Sequence, residues 1–353
     1  MSNKDHITEA FVQLGHFISQ FTTESPEKKE NILHNQLFFD GFKHQIKLAK
    51  EHNGWFTQQN IQYALKGWSD QLTKATLQNW LKKYDLTTTN PKTVAIIMAG
   101  NIPLVGFHDF LCVLLTGHSL LVKQSSNDKH LLPYLAKYLE HVTPDLKGKI
   151  TFTEDKLQNF DAVIATGSNN TARYFEFYFK NKPSIIRKSR NSAAILTGSE
   201  TPEQLDALSD DIFRYYGLGC RNVSKMFIPR DYNFDAFFNA MYKWNPIINE
   251  AKYANNYDYN KAVYIMSEFD MLENGFLMIK EDQSYASPIA TVFYEYYDSI
   301  ETLKQKLQLD KDLIQCIVAN NFDDSEVSFG KTQQPELSDY ADDVDTIAFL
   351  LKI

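Results

Sequence analysis

Long apolar runs are missing from this chain. No stretch approaches the roughly 18 consecutive apolar residues that a membrane-spanning helix needs. Cysteine is scarce: Cys112, Cys220 and Cys316 are too few and too scattered for a disulfide scaffold or a zinc cluster. The nine histidines contain no His-Glu-x-x-His pattern, so no metal chemistry is expected. Positive charge is not in excess either. The net charge of −8 argues against nucleic acid and anionic membranes as partners. Met1 to His6 lack the apolar core of a signal peptide, which makes a cytoplasmic location the expectation. No Gly-x-Gly-x-x-Gly follows a strand-like run.

What is present fits a globular protein. At 353 residues the chain can bury large cores and is long enough for two lobes. Aromatics at 14% point to thick cores or an apolar ligand tunnel. Residues 1–90 read as a helical region: Phe11, Leu14, Ile18 and Phe21 recur at helical spacing, as do Trp68, Leu72, Leu77, Trp80 and Leu81.

From Pro91 the texture becomes α/β. Thr93 to Gly100 is a continuous apolar run, as in a strand buried on both faces. A helix containing Phe107, Phe110, Leu111 and Leu114 follows, then a strand at Ser119–Lys123 and a helix from Leu131 to His141. Further strands are expected at Lys149–Phe152 and Asp161–Ala165. Such alternation predicts a doubly wound parallel sheet, whose ligands lie at the carboxyl ends of the strands.

Three of those ends carry polar groups. Asn101, after Gly100, is either a turn former or an amide able to donate to an oxyanion. Lys123 is a solvated strand-end charge or a contact for a dinucleotide. Thr166-Gly167-Ser168 precedes a helical run through Tyr174 and Tyr178; Ser168 suits an N-cap, and free amides at a helix start suit an anion. The cations Arg187, Lys188 and Arg190 could bind phosphate, favour a thiolate, or form a solvated strand end.

Thr201-Pro202-Glu203-Gln204 is a strong helix start with a capping box. This helix is expected to reach Tyr216 and deliver Gly217-Leu218-Gly219-Cys220-Arg221-Asn222 ahead of a strand at Val223–Ile228. A thiol presented by a glycine turn reads as a nucleophile; the bland alternative is a small buried hydrophobe. Beyond it, Phe234–Tyr242 reads as a helix, and Ala262–Met266 and Ile314–Ala319 as strands, with Cys316 in the core. Asp298-Ser299-Ile300-Glu301 reads as a second capping box.

Gly217-Leu218-Gly219-Cys220 is similar to the nucleophile loop of the aldehyde dehydrogenase superfamily, and the chain as a whole resembles its LuxC-like acyl-CoA (fatty acyl) reductase branch. The likeness runs from about residue 90 to the end, including the Asp-Tyr-Ala-Asp and Val-Asp-Thr pieces of the tail. It implies an aldehyde-dehydrogenase-like α/β fold of two doubly wound lobes with an N-terminal helical region: residues 91–200 for the dinucleotide, 201–330 for catalysis with Cys220, and a C-terminal segment 331–353. Asn101-Ile102-Pro103 resembles the oxyanion element, making Asn101 catalytic beside Cys220. Lys123, Ser126, Gly167 and Ser168 are the implied cofactor contacts. Ser126 stands where NAD-preferring relatives often carry an acid, so NADPH is expected. Arg187 falls near the position of the superfamily's glutamate base, whose loss fits reduction, since a hydrolytic base would destroy the thioester.

The implied activity is NADPH-dependent reduction of a fatty acyl thioester (an acyl-CoA or other activated acyl donor) to an aldehyde through an acyl-cysteine. The luminescence-type systems it resembles add an acyl-activating synthetase as partner, and the superfamily adds homo-oligomers. A cysteine acyl hydrolase or transferase, a non-catalytic binding subunit, and an acyl-phosphate reductase remain open alternatives.

Overall fold

The computed structural model of the protein describes residues 3–86, 90–322 and 326–353. Met1 and Ser2, the first residues of the stretch expected to carry no signal peptide, lie outside the described residues. Met1–Lys188 with Glu336–Ile353 form one compact unit and Ser189–Pro335 a second.

Four helices begin the first unit: α1 (Asn3–Ile18), α2 (Asn35–His52), α3 (Gln58–Gln71) and α4 (Lys74–Leu81). Their apolar spacing places one stripe in the core, so Phe11, Leu14, Ile18, Leu72 and Leu77 are fully buried. Alternation follows: β1 (Thr93–Ile97), α5 (Phe107–Leu115), β2 (Ser119–Lys123), α6 (Leu131–Val142), β3 (Ile150–Phe152), β4 (Ala162–Thr166), α7 (Asn169–Tyr178) and β5 (Ser184–Arg187). The sheet is wholly parallel in the order β3-β2-β1-β4-β5. Successive side chains of a strand point to opposite faces. Val94 and Ile96 of β1 therefore join the core containing Phe110 and Leu135, while Ala95 packs with Val163, Ala165 and Phe175 on the other side. This is why β1 reads as an unbroken apolar run. The strand order reverses between β1 and β4, and parallel strands bring the carboxyl ends of β1, β2 and β4 to one edge.

The second unit contains β6 (Asn191–Ile195), α8 (Pro202–Phe213), β7 (Val223–Ile228), α9 (Phe234–Met241), α10 (Ala251–Met266), β8 (Met271–Glu273), β9 (Met278–Glu281), β10 (Thr291–Tyr296), α11 (Ile300–Leu309) and β11 (Ile314–Val318). Its sheet runs β11-β6-β7-β10-β9-β8, parallel except for β8 against β9. The chain ends with α12 (Thr346–Leu350), in the first unit. No helix among the described residues is long and apolar enough to cross a membrane.

Three local expectations are corrected. Ala262–Met266 is the last turn of α10, not a strand. The buried positions are Tyr253, Tyr257, Asn260 and Tyr264, a helical stripe, while Ile265 and Met266 are exposed. A five-residue apolar run cannot by itself separate helix from strand. Helix α8 has its capping box at Thr201 and Gln204 but ends at Phe213, three residues early. Tyr215, Tyr216 and Gly217 all take positive φ, which reverses the chain before Cys220. Asp298–Glu301 forms no box: Ser299 caps α11 by accepting from the Thr302 amide, and Asp298 pairs with Arg230 at 2.9 Å.

Candidate active site

In the first unit the expected residues at the carboxyl ends of β1, β2 and β4 fall on one sheet edge. The loops after β1 and β2 touch. A Cβ added at Gly100 would lie 2.5 Å from the Ser125 hydroxyl oxygen, so only glycine permits this approach. Asn101 follows, half-buried. The half-buried Lys123 donates through its ammonium to the Asp155 carbonyl at 2.9 Å. Ser126 is exposed, and its carbonyl accepts from His52 Nε2 at 2.6 Å.

At the end of β4, the Gly167 amide donates to the Arg187 carbonyl at 3.2 Å. A Cβ there would meet Thr171 at 3.0 Å and the Phe175 ring at 3.1 Å, a tight cradle between strand and helix. The Ser168 hydroxyl accepts from the Thr171 amide at 3.3 Å and so caps α7. A ten-residue helix capped in this way presents its first amides to an anion. The surroundings of Gly100, Gly167 and Ser168 thus fit a dinucleotide, with close backbone approach and an electropositive helix start.

Two residues overlooked in the sequence brace this edge. Asp128 is buried; its Oδ2 accepts from the Leu104 amide at 3.0 Å, while the Gln124 side chain donates to its carbonyl at 2.9 Å. Leu104 sits at φ 58°, a conformation costly for a non-glycine residue. Asp128 therefore ties the loop carrying Asn101 to the loop carrying Ser126, and burial pushes its carboxyl up to about 6. The second is Asp109 on α5. Arg187 at the end of β5 is not a solvated strand end. It is buried, with both terminal guanidinium nitrogens on Asp109 and one also donating to Thr346 of α12 at 3.1 Å. Lys188 pairs with Glu176 at 2.8 Å on the surface, and Arg190 donates to the carbonyls of Lys311 and Ile314.

In the second unit, Cys220 is the one exposed cysteine of the three. Cys112 is fully buried, and burial pushes its thiol well up. Cys316 is half-buried rather than core, 3.0 Å from the Ser192 hydroxyl, and burial raises its thiol as well. A thiol that resists ionisation is a poor nucleophile. Exposure therefore singles out Cys220.

Its loop is rigidly held. Asn222, buried, accepts from the Gly219 amide through Oδ1 at 2.8 Å. Its Nδ2 donates to the carbonyls of Asp211 (2.9 Å), Ile212 (3.3 Å) and Arg214 (2.8 Å), satisfying the end of α8. The Ser192 hydroxyl donates to the Cys220 carbonyl at 3.0 Å. One asparagine side chain thus fastens both ends of the cysteine turn to a helix terminus. The signal was an Asn two residues after the cysteine, which has no distinctive meaning until the helix end beside it is known. Asp211 in turn holds the amides of Gly330 and Thr332 at 2.6 and 3.0 Å. Among the described residues no group of three or more His, Cys, Asp or Glu could hold a metal ion.

Residues 22–237 match the acyl-CoA reductase (LuxC) family. The chain is 24% identical over 235 residues to the long-chain acyl-protein thioester reductase of Aliivibrio fischeri, covering 59% of this chain and 47% of that protein. It therefore spans about half the length of the curated relative that it matches. Among solved structures it is similar to the indole-3-acetaldehyde dehydrogenase AldA of Pseudomonas syringae in complex with NAD+ and IAA, at TM-score 0.62, 11% identity, and coverage of 95% and 75% of the two chains. Aldehyde dehydrogenase AldC from the same organism, complexed with NAD+ and octanal, aligns at TM-score 0.61 and 10% identity, covering 89% of this chain and 72% of that one. At such identities the likeness establishes the aldehyde dehydrogenase fold.

Proposed function

Because this chain belongs to the acyl-CoA reductase (LuxC) family, we propose that it reduces a fatty acyl thioester to the aldehyde, using NADPH and a covalent acyl-cysteine at Cys220. The observation that carries this reading is the exposed Cys220 thiol on a turn fastened by Asn222 and Ser192. The Cys220 thiolate attacks the acyl carbonyl, a C–S bond to the enzyme forms, and the donor thiolate departs. Asn101 donates to the carbonyl oxygen as it becomes negative; one such donor is typically worth about 3 kcal/mol, or 10²–10³ in rate. Nicotinamide chemistry supplies the hydride for the acyl-enzyme carbon. Collapse of the resulting thiohemiacetal breaks the C–S bond, frees the aldehyde and returns the Cys220 thiolate. Arg187, engaged with Asp109, is not itself a base for water, which suits reduction rather than hydrolysis.

The capped start of α7 at Ser168 offers amides to the dinucleotide phosphates, Gly100 and Gly167 let the flanking loops pack closely beside it, and Lys123 and Ser126 are further contacts. The acyl donor is an acyl-CoA or a protein-bound acyl thioester, the latter being what the name of the Aliivibrio relative specifies. An acyl-activating synthetase is the proposed source of that group.

The experiment follows NADPH oxidation across acyl-CoAs of increasing chain length, with the aldehyde trapped. Cys220→Ala is expected to bind NADPH normally, form no aldehyde and capture no radiolabelled acyl group. Full activity in that variant would overturn the reading. Acyl-CoA consumed without loss of NADPH absorbance would make the protein a hydrolase instead.

A further inference from the structure

We propose that His52 and His130 read the 2′-phosphate of the dinucleotide, so that the preference for NADPH over NADH is set by two histidines and strengthens as pH falls. This rests on the reading of the edge beyond β2 as the adenosine side of the cofactor site.

The observation is a concentration of basic groups around a loop whose one acid, Asp128, is buried. Ser126 is exposed three residues past β2, and its carbonyl accepts from His52 Nε2 at 2.6 Å. His52 closes α2, and its ring meets the His130 ring edge-on, with centroids 5.3 Å apart. Asn53, beside it, donates to the Asn127 carbonyl at 3.3 Å, so the end of α2 is pinned to the loop 124–130 at two points. His130 is held below its ordinary value by burial first, then by His52 and Lys129. Such mutual repulsion is relieved by an anion.

The remaining charged groups on these elements leave the position clear. Glu51 on α2 pairs with Lys47 at 3.7 Å, and Lys50 adds a further cation. Lys123 is on the Asp155 carbonyl, and Asp128, the one acid of the loop, is buried against the Leu104 amide. In parallel α/β sheets the loop beyond the second strand holds the ribose, where an acid selects the 2′-hydroxyl and a cation accommodates the 2′-phosphate. Here Ser125, Ser126 and Asn127 are neutral, and the groups that close on them are the exposed His52, the half-buried His130 and the exposed Lys129. A phosphate dianion accepts from imidazole N–H groups, and an imidazolium adds charge to such a bond. Histidine is the side chain whose unperturbed titration falls in this pH range.

The test measures equilibrium binding of NADPH, NADH and 2′-phospho-AMP to the full chain at pH 6 and pH 8. The wild-type protein is expected to bind NADPH and 2′-phospho-AMP about tenfold or more weakly at pH 8, with NADH affinity nearly constant. His52→Gln with His130→Gln should remove that pH dependence and most of the preference, leaving NADH affinity intact as an internal control of folding. His52→Arg should keep the preference with a weaker pH dependence. If the double variant retains both the preference and its pH dependence, the histidine assignment falls while the cofactor reading stands. If the wild-type protein binds NADH as tightly as NADPH, or binds neither, the NADPH reading falls with it.

Discussion

Arg187 and Asp109 provide the sharpest test of how the first unit is held together. The side chains are 8% and 7% exposed, and the guanidinium engages both carboxylate oxygens. Asp109→Ala removes the counter-charge but leaves a cation that cannot deprotonate in the interior. Breaking a buried pair from one side typically costs about 3–5 kcal/mol, whereas replacing both partners with apolar groups is often neutral. Against a usual domain stability of about 5–15 kcal/mol, the single change removes a large fraction. Urea unfolding should show a much lower midpoint for Asp109→Ala, with the double variant Asp109→Leu/Arg187→Met recovering most of it. Because the Arg187 carbonyl accepts from the Gly167 amide, Asp109→Ala should also loosen the proposed cofactor turn and weaken NADPH binding. A single variant within about 1 kcal/mol of wild type would refute the reasoning, since it would mean that water reaches the guanidinium.

Asn222→Ala strands three helix-end carbonyls and the Gly219 amide; the expected cost is about 3 kcal/mol of stability. A loosened turn should also slow aldehyde formation and iodoacetamide alkylation of Cys220, the former by roughly 10²-fold; unchanged rates would show that the clamp does not position the thiol. Asn101→Ala should lower aldehyde formation by about 10²–10³ while sparing both NADPH affinity and Cys220 alkylation. Asp128 and Asp211 have carboxyls raised to about 6 by burial, above the unfolded value near 3.9. Between those values the native state keeps protons that the unfolded chain releases. Stability from these groups is therefore full below about pH 4 and lost as pH rises to about 6. Urea midpoints of wild type and Asp128→Asn should accordingly diverge across that window, and parallel pH profiles would contradict the burial of this carboxyl.

Several local features of the candidate site were legible because local rules write them locally. The Thr201 capping box, the Ser168 cap and the glycines around Cys220 are short-range devices whose chemistry lies within a few residues. The apolar run of β1 and the helical stripe of α1 are likewise written in spacing. The end of α8 was misplaced because Tyr215 and Tyr216 carry no mark of positive φ; only the surrounding contacts hold them there. In α10 the apolar letters point outward and tyrosines point inward, so periodicity of hydrophobicity alone misled.

The amino-acid order by itself determined the parallel α/β alternation, the glycine turn ahead of Cys220 and the polar strand ends, since each follows from neighbours in the chain, whereas the exposure of Cys220 came from the fold. Tertiary structure alone decided that Arg187 is a buried clamp, because its partners Asp109 and Thr346 lie 78 and 159 residues away. It likewise decided that Asp128 braces Leu104, that Asn222 closes a helix end, and that His52 meets Ser126. Such pairings depend on which elements folding brings side by side, and no local spacing encodes them.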